Sequence, residues 1–235
     1  MKIAITIATY RRPDGKTPSY LGRLLDSIYR QTHKDYRIYL IGDDYDDQLE
    51  WFRILVKFIN YRMKAVNLKE AVERSKYKDK TILWSCGGVN ATNFGAHLAL
   101  KDGFDYICHV DHDDYWKENH LELISNALEQ THADWVCTKA EYGADRLFPE
   151  GITSNEHLIP FLPVPGGVIN SSTCYNYRTI PHRYRDMHEA TGTAVPSDAD
   201  LWDRVSKFIQ ENNLTSYLIN EITCYHKEEG YLLYG

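Results

Sequence analysis

Asp111, Asp113 and Asp114 place three carboxylates within four residues, directly after the apolar stretch Tyr106 to Val110. Like charges this close repel and raise one another's pKa unless a cation sits among them. Carboxylate oxygens are the natural ligands of magnesium and manganese. An ion held by only one or two of them keeps positions open for phosphate oxygens. The bland alternative is a helix N-terminus, with Asp113 or Asp114 capping a helix from Trp116, but a cap needs one carboxylate rather than three. His112 alternates out of phase with Asp111 and Asp113 and is not expected as a ligand. A second acidic cluster, Asp43, Asp44, Asp46 and Asp47, follows the apolar stretch Tyr36 to Ile41. Such acids fit either a polar ligand or ordinary turn chemistry.

The elements that must position these acids alternate in type. Ile3 to Ala8 reads as a buried strand ending at Thr9-Tyr10. Ser19 looks like an N-cap, and Leu21, Leu24, Leu25 and Ile28 repeat at helical spacing as far as Gln31. Tyr36 to Ile41 is predicted as strand, Gln48 to Tyr61 as helix, Thr81 to Cys86 as a short strand and Val89 to Leu100 as helix. Tyr106 to Val110 is predicted as strand, Trp116 to Gln130 as helix and Trp135 to Ala140 as strand. The alternation predicts an α/β fold with a mostly parallel sheet and helices on both faces. Ligands bind beyond the carboxyl ends of such strands. Thr9-Tyr10, Asp43-Asp44 and Asp111 to Asp114 should therefore converge on one edge. Past residue 141 glycine and proline loosen the pattern. There Val168 to Arg178, Leu214 to Ile219 and Glu221 to Tyr225 are read as strands. Leu201 to Asn212 is read as a helix capped by Pro196-Ser197-Asp198.

Composition narrows the function classes. The chain has 235 residues, 43% hydrophobic and 26% charged, enough for a real core. A net charge of −6 argues against a nucleic-acid-binding face. Five scattered cysteines without a CxxC pair argue against a zinc knuckle and read as reduced thiols of a cytoplasmic protein. No apolar run approaches the roughly 20 residues of a membrane span, and the N-terminal apolar stretch is too short for a signal peptide. A chain of this composition can still sit on a membrane surface as a peripheral protein.

Four segments, in order, resemble the inverting family 2 glycosyltransferases of the GT-A fold. IATYRRP is similar to that family's first strand and nucleotide loop. LLDSIYRQTHKDYRIYLIGDDYDD is similar to its first helix, second strand and uridine-contacting acid pair. GVNATNFGAHLALKDGFDYICHVDHDD resembles the helix and strand leading into its DxD motif, and SDADLWDRV its ED-x-[DE]-[LF]-W segment. The resemblance implies a single GT-A domain over 1–235, with a nucleotide-sugar-binding part (1–140) and an acceptor-side part (141–235). It implies that Tyr10 lies along the base or ribose, that Thr9 shapes that loop, and that Asp44, or Asp43 instead, accepts from the uracil imide N–H. Asn93, on the helix near the donor, belongs to the same site. Asp111 would reach ribose or metal, Asp113 would bind Mn2+ or Mg2+, and His226 would be a further ligand. Asp198 would be the general base, with Asp200 its rival; an N-cap is the alternative role for Asp198. The chain departs from the family at Ser197, which precedes the base, and at Thr92, where an arginine is common. Arg11, Arg12 and Lys16 are substitute candidates for a diphosphate contact. By position rather than resemblance, residues 182–188, just before the proposed base, read as an acceptor contact or as a lid that orders over the donor, with a solvated loop as the alternative, and Pro165-Gly166-Gly167 as shaping the acceptor side.

The expected activity is metal-assisted inverting transfer of a sugar from a nucleotide-sugar donor, UDP-linked, to a glycan, lipid-linked or protein acceptor in glycan or polysaccharide synthesis. A sugar nucleotidyltransferase is the first alternative; it would want a Gly- and Lys/Arg-rich loop after the first strand, and ATYRRPDGKTP matches this poorly. A non-catalytic nucleotide-sugar or glycan-binding module is the second.

Overall fold

A computed structural model describes residues 1–143 and 145–226. Strand β1 (Ile3–Thr9) is buried along its length, as suits a β-branched run that packs helices on both faces. Helix α1 (Thr17–Tyr29) follows, with Pro18 in its first turn, where a missing N–H costs nothing. It starts two residues before Ser19. After β2 (Tyr36–Gly42), Asp47 caps α2 (Gln48–Phe58) by accepting from Glu50 N at 2.9 Å. The chain continues through β3 (Met63–Asn67), α3 (Val72–Lys76), α4 (Lys80–Cys86) and α5 (Val89–Lys101). Then come β4 (Tyr106–Asp111), β5 (Tyr115–Trp116), α6 (His120–Thr131), β6 (Trp135–Tyr142), β7 (Arg146–Phe148), β8 (Leu158–Pro160) and β9 (Thr173–Asn176). Helices α7 (Met187–Thr191) and α8 (Ser197–Glu211) precede the long β10 (Ser216–His226).

Among the described residues one sheet runs in the order β3-β2-β1-β4-β9-β6-β10-β5, with β7 beside β6 and β8 beside β10. β3, β2, β1 and β4 are parallel, as are β6 and β10, while β9 is antiparallel to β4 and β6. One apolar cluster joins the sheet to α1, α2 and α6, and a second joins its other face to α5 and α8. Helix α5 lies close because residue 95 is glycine. A Cβ there would stand 3.2 Å from both Thr6 Cβ and Ile41 Cγ1.

Several expected elements are corrected. Residues 81–86 are helical, because Asp79 accepts from Thr81 N at 2.8 Å and Ile82 N at 3.0 Å and so starts a helix over a short apolar run. The strand expected over 168–178 is confined to β9, preceded by a 3₁₀ turn at Asn170–Ser172. The helix expected from Trp116 starts at His120, since Tyr115 and Trp116 pair with β10; neither Asp113 nor Asp114 caps it. The two closing strands are one, β10, whose register shifts around Ile222. The edge strand β3, half-buried and without clean alternation, was not expected. All five cysteines are free and buried, and no helix among the described residues is long and apolar enough to cross a membrane.

Candidate active site

The parallel register brings the strand ends together: Thr9 is level with Gly42, and Ala8 with Asp111. A cavity of about 180 Å3 opens beyond them. Thr9, Tyr10, Arg12, Asp43, Asp111 and Asp113 line it, with Gly87 and Gly88 from the α4–α5 turn. Gly88 adopts φ 82° there, a left-handed conformation that favours glycine. The convergence read from the strand pattern is therefore present.

Of the first acid pair, Asp43 faces this cavity. It is buried, and Arg74 Nη1 approaches its Oδ2 to 3.0 Å. No donor hydrogen is aligned on either carboxylate oxygen, so both retain accepting capacity. Burial raises the Asp43 pKa, Arg74 opposes the rise and Asp44 adds to it. Asp44, the acid preferred from the sequence, is exposed at φ 48° and does not line the cavity. The chain turns there through a left-handed residue, which sends the second carboxylate outward. Thr9 keeps a buried hydroxyl without a hydrogen-bond partner. Tyr10 meets His112 edge-on at 5.6 Å and carries the Arg74 guanidinium 4.8 Å from its ring centre. Asn93 does not reach the cavity. Its Nδ2 donates to Tyr184 O at 2.8 Å, while neighbouring Thr92 lines the wall.

Asp111 opens to the cleft, yet enclosure by the protein, then Asp114 and Asp113, push its carboxyl up to about 8. The cleft walls rather than complete burial of the side chain carry that shift. Burial also works to raise Asp113, but His112, His226 and Arg12 outweigh it and hold the carboxyl below the usual range. Arg12 Nη1 donates to Asp113 Oδ2 at 3.1 Å. Asp114 is fully buried; its Oδ1 lies 2.6 Å from His226 Nδ1 and its Oδ2 has no hydrogen-bond partner. Burial would lower His226, but Asp114 reverses that and pushes it up to about 9. Among the described residues no group of three or more acidic, histidine or cysteine side chains is arranged to hold a metal ion. The donor set fits a divalent cation only as a partial shell: hard carboxylate oxygens on Asp111 and Asp113, crowded enough that Asp111 resists ionisation, with the remaining positions left to a ligand's oxygens.

A second cavity of about 480 Å3 continues from the first, sharing Trp84, Thr92 and Asp111 with it. Asp198 and His226 line it, together with Tyr142, Arg146, Phe148 and Tyr184. Asp198 stands in the first turn of α8, past the cap position, which Pro196 occupies. One oxygen accepts from Ala199 N at 2.8 Å, and burial raises its pKa. Ser197 Oγ donates to Ser85 O and Arg185 O, both at 2.9 Å, and so pins the start of α8 to the end of α4. Asp200 faces away. Arg185 donates to it at 2.6 and 2.9 Å and Arg204 Nε at 2.9 Å; burial raises its pKa, and the two arginines more than cancel that. Of the loop cations, Arg12 lines the first cavity, whereas Arg11 turns to Asp47 and Glu50. The segment read as a lid is anchored: Tyr184 OH donates to Asn170 Oδ1, and Asp186 caps α7.

The sequence model described as glycosyl transferase family 2 matches residues 4–196. The chain belongs to glycosyl transferase family 2. An uncharacterized glycosyltransferase of Acanthamoeba polyphaga mimivirus is 35% identical over 237 residues, covering 98% of this chain and 95% of the relative. The enzyme's fold is that of GT-A glycosyltransferases. It matches S. aureus TarS 1–349 solved with UDP-GlcNAc at a TM-score of 0.70 and 16% identity, over 99% of this chain and 60% of that one. It also matches the mannosyltransferase PcManGT from Pyrobaculum calidifontis, solved with GDP-Man and Mn2+, at a TM-score of 0.62 and 13% identity, over 98% of this chain and 58% of that one. This family 2 glycosyltransferase therefore spans about three fifths of the length of those solved chains. Several residues at the cleft were not singled out from sequence, among them Trp84, Tyr142, Arg146 and Phe148 on its walls and Arg74, which contacts Asp43 and Tyr10 from behind the lining. Arg74 stands on a five-residue helix too short to show periodicity, and Trp84 lies in the segment read as strand. Tyr142 and Arg146 fall where the pattern loosens.

Proposed function

We propose that this glycosyltransferase transfers a sugar, with inversion, from a UDP-linked donor to a carbohydrate hydroxyl, with Asp198 as general base. One observation carries the reading: Asp198, alone of the two rival acids, faces a cavity that continues through Asp111 into the cleft at the strand ends. In the first cavity Asp43 accepts from the uracil imide N–H while Tyr10 and Arg74 flank the base. Arg12, beside Asp113, faces the diphosphate. Mn2+ or Mg2+ held by Asp113 and Asp111 would supply positive charge against the departing diphosphate. Asp114 holds His226 through Nδ1, so Nε2 would be the nitrogen available to that ion once it releases the proton that Asp114 helps it keep.

The acceptor enters the second cavity, where Trp84, Tyr142 and Phe148 provide rings for a sugar face, as glycan or polysaccharide synthesis requires. Asp198 takes the hydroxyl proton as that oxygen attacks the anomeric carbon, and its raised pKa suits a group that must accept and then release a proton. The division of labour follows the chain, with donor contacts within 1–140 and most acceptor contacts within 141–235. TarS and PcManGT were solved with nucleotide sugars, UDP-GlcNAc and GDP-Man, which supports a donor of this class. Buried free thiols agree with a cytoplasmic setting.

Thermal shift with UDP, GDP and UDP-sugars, with and without Mn2+, tests the donor site. UDP-linked donors should raise the melting temperature in a metal-dependent way, and no shift with any nucleotide would refute the assignment. Asp198→Asn should keep that shift and lose transfer by about 100-fold or more; full turnover would remove Asp198 as the base.

A further inference from the structure

Helix α2 carries an apolar stripe that no described residue covers. Leu49, Phe52, Val56 and Ile59 recur at helical spacing and are 58%, 61%, 65% and 53% exposed; Tyr61, just beyond, is 80% exposed. The other side of the helix, Trp51, Ile54 and Phe58, is buried on the core. A surface helix ordinarily turns polar side chains outward. Scattered exposed apolar side chains need no explanation, but a contiguous row marks an interaction surface.

The charge around the stripe says what it meets. The chain as a whole is acidic, at −6, yet from Gln48 to Lys64 four cations, Arg53, Lys57, Arg62 and Lys64, stand against the single acid Glu50. That acid is already engaged, by the Tyr45 hydroxyl at 2.5 Å and by Arg11 at 3.7 Å. Lys64 pairs with Asp102 at 3.2 Å, whereas Arg53 and Lys57 meet no acid among the described residues. Both flank the stripe on one side. Next to Lys57 a groove of about 380 Å3 opens between α1 and α2, lined also by Arg23, Arg30 and Asp26. A row of apolar side chains bordered by cations that no described acid neutralises, beside a mostly cationic groove, matches a surface that is itself apolar beneath and anionic above.

We propose that this face of α2 seats the enzyme on an anionic lipid surface. Phe52, Val56 and Ile59 enter the boundary between headgroups and acyl chains, and Arg53 and Lys57 meet lipid phosphates. A second copy fits less well: two-fold pairing of antiparallel α2 helices sets the Arg53–Lys57 rim against its own copy. None of these stripe residues lines the cleft, so docking and transfer can be tested separately.

The test is co-sedimentation of the full chain with phosphatidylcholine vesicles and with vesicles in which about a third of the lipid is phosphatidylglycerol, at low and high salt, with light scattering in parallel. The expected result is binding to the anionic vesicles about tenfold or more above the neutral ones, weakened by salt, from a monomer in solution. Phe52→Glu with Val56→Glu should lower binding about tenfold, and Arg53→Glu with Lys57→Glu should abolish the preference for anionic lipid. Both pairs face outward, so unchanged melting temperatures and nucleotide binding show that they fold. Absent or equal binding to the two vesicles, unaltered binding by the variants, or a dimer that the Phe52→Glu/Val56→Glu pair dissociates would overturn the proposal.

Discussion

Asp198 and Asp200 lie two residues apart in the same first turn of α8 and end in different chemistry. A helix rotates about 200° over two residues, so the two side chains leave it on nearly opposite sides. Asp198 turns to the cleft, where burial raises its pKa; Asp200 turns into the cage of Arg185 and Arg204. Asp200→Ala should therefore cost stability rather than donor binding. Removing it strands Arg204 and Arg185, and because Arg185 is half-exposed the loss should be roughly 1–3 kcal/mol in urea unfolding. A variant that unfolds like the wild type would show that the cage contributes nothing. The same rule of direction separates Asp43 from Asp44. Both belong to one dipeptide, and the left-handed turn at Asp44 gives the cleft only the first of them.

At the scale of elements, the site is assembled by close approach of α5 to the sheet. Gly95 lets the helix lie against Thr6 and Ile41, and the residues at its start, Gly88 and Thr92, then reach the cleft. Gly95→Val should push the helix away and lower stability by about 1–3 kcal/mol, read as a fall in melting temperature; an unchanged melting temperature would mean that the contact is slack. Short elements were the hardest to foresee. Helix α4 is seven residues long and mostly apolar, a length at which helix and buried strand share one pattern, and the Asp79 cap decided between them. Its Trp84 consequently sits on the wall between the two cavities.

Across the whole molecule, stability should depend on two buried histidines far from solvent. His109 lies in the core with Thr6 and Tyr177 as partners, and His120 holds Thr223 at 2.7 Å; burial lowers each to about 3. The unfolded chain binds these protons near pH 6.5 and the native state does not. Stability from each is thus complete above about pH 6.5 and is lost as pH falls toward 3, by roughly 1 kcal/mol per histidine at about pH 5.5. Comparing the pH dependence of urea unfolding in wild type and His120→Gln isolates one of them: the variant should have the shallower slope between pH 7 and 5, and parallel curves would contradict the assignment. By itself the sequence determined the alternation of β1, α1, β2, α5 and β4, the meeting of Thr9, Asp43 and Asp111 at one strand edge, and the family, because periodicity and strand ends are local and a parallel sheet carries all its carboxyl ends to one side. Only the tertiary structure decided which acid of each pair faces the cleft, that Asn93 supports Tyr184 instead of lining the wall, and that Arg74 and Trp84 join the site. Those outcomes depend on side-chain direction and on contacts between segments tens of residues apart, neither of which a linear pattern encodes.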